Sequence, residues 1–435
     1  MTEAEVTRTD AEGAAVEPTQ ARVAALSAAV EAGDAAAINA LIADLRAPDI
    51  ADLIEVLEPD ERVRLIELAG AEFDFEVLSE LDATVRDQLT EALPNDLLAK
   101  AVTELDTDDA AYLIESLEAD DRKEILDQLD FDDRAALERN LEYDEETAGR
   151  LMQSEFVAVA PFWDVGRVID HMREADDLPE HFSEIYVVDP AFRVLGAVDL
   201  SRLLRTKRHV PVGEIMNADR HVVLATEDQE EVARQFRRYD LMSAPVVDEN
   251  NRLVGVVTVD DVVEVIEEEA EEDIKAMAGV GDETLADSVY WTARSRIPWL
   301  VVNLGTALLA SFVIGLFDAT IEEMVALAVL MPVVASIGGN AAMQTTTVTV
   351  RALATNKLSR LNAARVIGRE AVVGLVNGAV ISLLIATVVF LWFGSGPLAG
   401  VIAAAIVVNL LVAAMSGILI PMALDRFDID PAPSS

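Results

Sequence analysis

Four uncharged stretches, residues 297–317, 324–350, 371–393 and 398–424, constrain this 435-residue chain more than any other feature. Each has at least the ~20 residues that an α-helix needs to cross a ~30 Å hydrocarbon core, so residues 287–435 are predicted to be an α-helical transmembrane domain with four helices. The charge lies elsewhere. The chain carries 33 − 79 = −46, and residues 1–286 hold 71 acidic and 25 basic side chains against 8 of each in the remainder. A large acidic soluble part is therefore joined to a membrane anchor. So negative a field repels phosphate, which argues against nucleic acid as a partner. The absence of cysteine excludes disulfides, thiolate metal sites and cysteine catalysis. The polar start MTEAEVTRTDAEG has no basic segment leading an apolar core, so no cleavable signal is visible, and residues 1–19 are expected to be a disordered tail.

Arg351, Lys357, Arg360, Arg365 and Arg369 fall between the second and third stretches, and Asp318, Glu322 and Glu323 between the first and second. The positive-inside rule puts the former segment in the cytoplasm. Arg294 and Arg296, just before the first stretch, place the acidic part on the same side. The second stretch holds Pro332, Gly338, Gly339, Asn340, Gln344 and Thr345 to Thr347, residues suited to protein contact or a wet cavity rather than lipid. Two readings stand: small and amide residues packing helices together, or a permeation path whose freed carbonyls and Asn340 amide offer hard ligands to Mg²⁺ or Ca²⁺.

The soluble part divides by period. Residues 20–142 show helical spacing and a repeat, LRAPDIADLIEVLEPDER (45–62) returning as LDTDDAAYLIESLEADDR (105–122), which predicts an all-α helical-repeat N domain. Its turn acids, among them Asp106, Asp108, Asp109, Asp120 and Asp121, are expected mainly to cap helices. Residues 143–265 alternate short β-type runs with helices and repeat at an offset of 59: Tyr186-Val-Val-Asp189 with Arg193-Val-Leu-Gly196 pairs with Pro245-Val-Val-Asp248 and Arg252-Leu-Val-Gly255. This resembles a tandem pair of cystathionine-β-synthase-type (CBS) domains, an α/β module that often senses a ligand, so a nucleotide partner is expected there. His171, His181, His209 and His221 lack HxH or HExxH spacing, and no nucleophile elbow, Walker loop or dinucleotide fingerprint occurs. No enzyme is expected.

Residues 266–286 are assigned to a connecting helix. In the acid-rich stretch 260–283, Asp261, Glu264, Glu268 and Glu272 lie near one helical face, and Glu269 with Asp273 on a neighbouring one. Divalent cations would relieve their repulsion. A solvated acidic linker is the alternative.

The order of parts, with EAEED in the connecting helix and PVVASIGGNAAMQTTTVTVRALA, RVIGREAVVGLVNG and NLLVAAMSGILIPMALDRFDIDPA in the membrane region, resembles the MgtE family of magnesium channels and transporters. The resemblance implies a multi-pass homodimer of the cytoplasmic (inner) membrane, surrounded by lipid. Its cytoplasmic domains would bind Mg²⁺ and close the pore. It marks Asp108, Asp228, Glu230, Asp240, Asp261, Glu269, Glu272 and Asp273 as metal ligands, and Gly338, Gly339 and Asn340 as pore-lining. The family's GGNxGxQ reads GGNAAMQ here, with Ala342 in place of the glycine. Family members also continue past DPA into a fifth helix carrying the pore aspartate, where this sequence reads DPAPSS. These residues alone are accordingly expected to fold and dimerise but to conduct poorly until that helix is supplied. A non-conducting membrane-anchored sensor of Mg²⁺ or nucleotide is the alternative function. Lysine makes up only 5 of the 33 basic residues, which fits solubility in concentrated salt, so most of the soluble acids are expected to keep the chain dissolved and a minority to sense.

Overall fold

The computed structural model describes residues 20–175, 178–179, 181–281, 284, 289–355, 357–358, 361–427, 429 and 431. The tail assigned to residues 1–19 lies outside them. The chain divides into two compact units, residues 1–267 and 268–435.

The first unit opens with nine described helices: α1 (Gln20–Ala32), α2 (Ala35–Ile42), α3 (Ala47–Val56), α4 (Pro59–Ala69), α5 (Ala83–Ala92), α6 (Asn95–Glu104), α7 (Thr107–Glu115), α8 (Ala119–Leu126) and α9 (Phe131–Asn140). The sequence repeat is α3–α4 and α7–α8. Leu53, Leu57, Leu113 and Leu117, paired at an offset of 60, are all buried. A second device repeats with them. Arg62 Nε donates to the Ile54 and Leu57 carbonyls at 3.1 and 2.9 Å, and Arg122 Nε donates to the Ile114 carbonyl at 3.1 Å, so each guanidinium satisfies the carbonyls that end the preceding helix.

The CBS-type region forms two three-stranded sheets. In the first, β1 (Ala158–Val159) pairs parallel with β2 (Glu184–Val188), which pairs antiparallel with β3 (Val194–Asp199). The second repeats that pattern with β4 (Val223–Leu224), β5 (Ser243–Val247) and β6 (Leu253–Thr258). Helices α10 (Val165–Glu174), α11 (Leu200–Leu204), α12 (Val212–Ile215) and α13 (Gln229–Tyr239) complete the region. The offset of 59 extends to the backbone. The bulges at Val187/Val188 and Val246/Val247 correspond, as do the positive φ values of Phe192 (63°) and Asn251 (62°). Asp189 and Asp248 fold the same turn, each accepting two backbone N–H groups on one carboxylate oxygen. The equivalent residues Arg193 and Arg252 bridge each other. An approximate two-fold axis thus passes between the repeats.

From β6 the chain runs directly into α14 (Val259–Ala278). The helix starts upstream of residue 266 because Val262 and Val265 belong to the core of the second repeat. It ends where Gly279 takes φ +68°, with Val280 N–H bonded back to the Lys275 carbonyl.

The second unit contains α15 (Val289–Gly315), α16 (Asp318–Glu323), α17 (Val325–Ala354), α18 (Ala363–Phe393) and α19 (Gly396–Asp425). Among the described residues, α15, α17, α18 and α19 are long and apolar enough to cross a membrane. Helix α15 buries none of its residues, whereas α17 and α18 both pack on α19. Close approach there depends on small residues. A Cβ at Gly374 would meet the Ala414 Cβ at 3.0 Å, and one at Gly417 the Ala342 carbonyl at 2.7 Å. Helix α17 continues unbroken through Pro332 and Gly338-Gly339, so the only carbonyl these residues release is that of Ala328, whose helical donor Pro332 lacks.

Candidate metal centre and membrane polar face

Two acid pairs begin two helices of the first unit. Asp108 and Asp109 lie in the first turn of α7, preceded by Asp106, and Asp260 and Asp261 lie in the first turn of α14. The fold brings these sequence-distant pairs into one electrostatic cluster. Burial pushes the Asp108 carboxyl well above the ordinary carboxylate range, and the neighbouring charges of Asp261, Asp109 and Asp106 push it further. Burial first, then Asp261 and Asp106, raise Asp109 to about 7, against the partial opposition of Arg86. Asp261 is raised to about 6, chiefly by burial, while its bonds from Thr258 pull the other way. Asp106 rises through burial and the Asp260 charge, with His181 opposing.

The hydrogen bonding is incomplete. Asp108 is 7% exposed, and its buried Oδ1 has no partner among the described residues. Asp261 Oδ2 accepts from Thr258 Oγ1 at 2.5 Å and from Gln153 Nε2 at 3.4 Å. Capping does not account for Asp106, because this N-cap residue accepts no helix N–H. Nor does it account for Asp120 and Asp121, which lie in the first turn of α8, where the helix dipole favours an acid. Among the described residues no three metal-ligating side chains converge into a cage. The carboxylates feel one another's field without sharing a focus. A cation drawn between them would supply both the missing charge and the missing partner, and carboxylate oxygens suit a hard ion.

The other sequence-assigned ligands lie apart from this cluster or along α14. Asp228 caps α13, accepting from Glu230 N–H at 2.9 Å, and Glu230 faces Arg234 at 3.6 Å. Asp240 ends the same helix in a left-handed conformation with φ 51°. Glu269, Glu272 and Asp273 follow one another on the second half of α14.

The CBS pair holds a different polar cluster, one that the sequence did not announce. Glu184, at the start of β2, pairs with Arg220 and accepts from Ser243 Oγ at 3.2 Å, while Tyr186 Oη donates to the same hydroxyl at 3.1 Å. Burial still outweighs the arginine and holds the Glu184 carboxyl at about 7.

In the membrane unit the assigned pore residues divide between two faces. Gly338 is buried against α19, whereas Gly339 has nothing near its missing side chain and Asn340 is exposed. Ser336, Asn340, Gln344, Thr347 and Arg351 are all exposed at helical spacing, a polar stripe along α17. Polar groups at such depth face water or protein rather than lipid.

Sequence comparison places these features in a known group. Profiles match for a divalent cation transporter (MgtE) over residues 331–435, for the MgtE intracellular N domain over 45–146, and for CBS domains over 148–209 and 212–268. The magnesium transporter MgtE of Bacillus subtilis is 30% identical over 398 residues, covering 91% of this chain and 88% of that protein. The chain belongs to the MgtE family of magnesium transporters. Another member, from Thermus thermophilus, is 38% identical over 296 residues, covering 66% of this chain and 64% of that one. Family members are named as transporters, not enzymes. Among solved structures, the cytosolic domain of the Mg²⁺ channel MgtE in complex with ATP matches with TM-score 0.52 and 35% identity, over 56% of this chain and 99% of that one. The soluble part of a magnesium transporter matches with TM-score 0.51 and 24% identity, covering 57% and 98%. The multidomain architecture is that of the family: a helical N domain, a CBS pair and a helical membrane region.

Proposed function

We propose that the chain is a Mg²⁺-gated magnesium channel or transporter subunit, whose acidic cytoplasmic part senses internal Mg²⁺ and closes the pore. The observation that carries this reading is the buried Asp108 Oδ1, without a partner among the described residues, inside a cluster of acids that Arg86 and His181 offset only in part. Asp108 and Asp261 would hold the ion, and Asp106, Asp109 and Asp260 would add to the field that attracts it. Bound Mg²⁺ would supply the positive charge that lets α7 and the base of α14 stay together. Asp228, Glu230, Asp240, Glu269, Glu272 and Asp273 complete the proposed sensor set. The exposed stripe on α17, which includes Asn340, with Gly339 beside it and Gly338 behind, is the proposed ion path. In this reading the protein is a homodimer of the cytoplasmic membrane with residues 1–286 inside, an orientation supported by the arginines that follow α17. A nucleotide at the CBS pair belongs to the same proposal, supported by the ATP-bound related domain.

The test is limited proteolysis of the full chain in detergent, comparing millimolar Mg²⁺ with a monovalent salt of equal ionic strength. Protection of residues 105–115 and 258–265 by Mg²⁺, lost in Asp108→Asn/Asp261→Asn, is the expected result. Equal digestion under both conditions would leave these acids as solubilising charge and overturn the sensor.

A further inference from the structure

Asn409 lies near the midpoint of the thirty-residue helix α19, and Gly338 near the midpoint of the equally long α17. An amide at that depth is unfavourable unless its donors are satisfied. Here Asn409 Nδ2 donates to the Val334 carbonyl of α17 at 2.7 Å. A Cβ on residue 338 would fall 2.3 Å from that nitrogen and 2.7 Å from Oδ1, so the first glycine of the GGN sequence is needed to admit the side chain of Asn409. The backbone at Gly338 is ordinary helix, and conformational freedom is not what the glycine supplies.

We propose that Asn409 is a positioning residue for the ion path: by bonding Val334 and filling the space that Gly338 leaves, it fixes the rotation of α17 about its own axis. The proposal rests on the reading of the exposed α17 face as that path. The geometry makes the rotation consequential. Side-chain tips stand about 6 Å from a helix axis, so a 20° turn would move the Asn340 and Gln344 amides by about 2 Å. Mg²⁺ demands near-octahedral ligands or ordered water at ~2.1 Å, and a displacement of that size spoils either. Apolar packing alone defines such a rotation loosely in a helix whose interface is built of small residues. One directed hydrogen bond defines it sharply.

The chain has no cysteine, so single cysteines report the orientation of α17 without background. Asn340→Cys, Ala341→Cys and Gln344→Cys are placed in the full chain in lipid vesicles and reacted with a water-soluble cationic thiosulfonate. The expected pattern is labelling at 340 and 344 and protection at 341. Adding Asn409→Leu should lower labelling at 340 and raise it at 341 by about threefold each, as the loosened helix turns the first part of the way toward packed surroundings and the second toward water. Asn409→Gln, which keeps the donor, should retain the original pattern, and Gly338→Ala should reproduce that of Asn409→Leu. If Asn409→Leu is not monodisperse, Gly338→Ala/Asn409→Ala, which removes clash and bond together, replaces it with the same expectation. An unchanged pattern in these variants would overturn the positioning role while leaving the ion path intact. No labelling at 340 or 344 without any change at 409 would overturn the path and this role with it.

Discussion

Glu184 and Asp108 are both buried carboxylates of the soluble part, yet one lies against a guanidinium and the other among acids. Glu184 also accepts from Ser243, so its charge and lone pairs are matched from within the chain. Asp108 keeps an oxygen without a partner among the described residues, and the acids around it repel its charge. An acid meant to stay buried is given its cation in the sequence. On the proposed reading, Asp108, which has no such partner, would be held by an ion that comes and goes, and its helix contact would be strengthened while the ion is there.

The contrast is tested most severely at Arg220. Arg220→Met should leave Glu184 buried without a cation and lower the stability of the CBS pair by about 3–5 kcal/mol, read as faster hydrogen exchange in β2 and β5. Asp108→Asn should act with the opposite sign. Without Mg²⁺ it removes repulsion and strengthens protection of α7 by about 1–3 kcal/mol, and it abolishes the further gain that Mg²⁺ brings to the unaltered chain.

Acidity sharpens the same comparison. Asp109 and Asp261 rise from 3.8 to about 7 and about 6, so the folded cluster binds protons more tightly than the unfolded chain. Their contribution to metal-free stability is fully present below pH ~4 and is lost as pH rises through 6 to 7. Thermal scans of the metal-free protein should therefore fall between pH 5 and pH 8, and the stabilisation by Mg²⁺ should grow over the same interval as protons cease to compete. A fall that persists in Asp108→Asn/Asp109→Asn/Asp261→Asn would move the effect to Glu184. The smallest change is expected at Glu230, half-exposed beside Arg234, where Glu230→Gln should alter stability by no more than about 0.5 kcal/mol.

What the sequence made legible followed from range. The spans were readable because hydropathy is local, and the CBS repeat because YVVD and PVVD recur at one offset, which the strands, bulges and turns then kept. Asp108 and Asp261 were marked by motif. Their companions Asp106, Asp109 and Asp260 were not, since about 150 residues separate α7 from α14 and a helix-leading acid ordinarily reads as a cap. The doubled Asp-Asp at the start of both helices was the available signal. The pairing of Glu184 with Arg220 carries no local mark, and the GGN motif that marks Gly338 says nothing of Asn409. Each is a contact between elements that only packing brings together.

Helix α14 gives the acid cluster mechanical reach. Its first two turns are anchored by Val262 and Val265 in the core of the second repeat, with Asp261 at the same level. From Asp261 to Ala278 the helix is a stiff rod of about 25 Å at 1.5 Å per residue, and it contains neither proline nor glycine to absorb a bend. A tilt of about 10° at its base would sweep the far end through about 4 Å, more than a water diameter. A metal ion at Asp261 would act at the fulcrum of a lever, where a small displacement of oxygen atoms becomes a large one further along the chain.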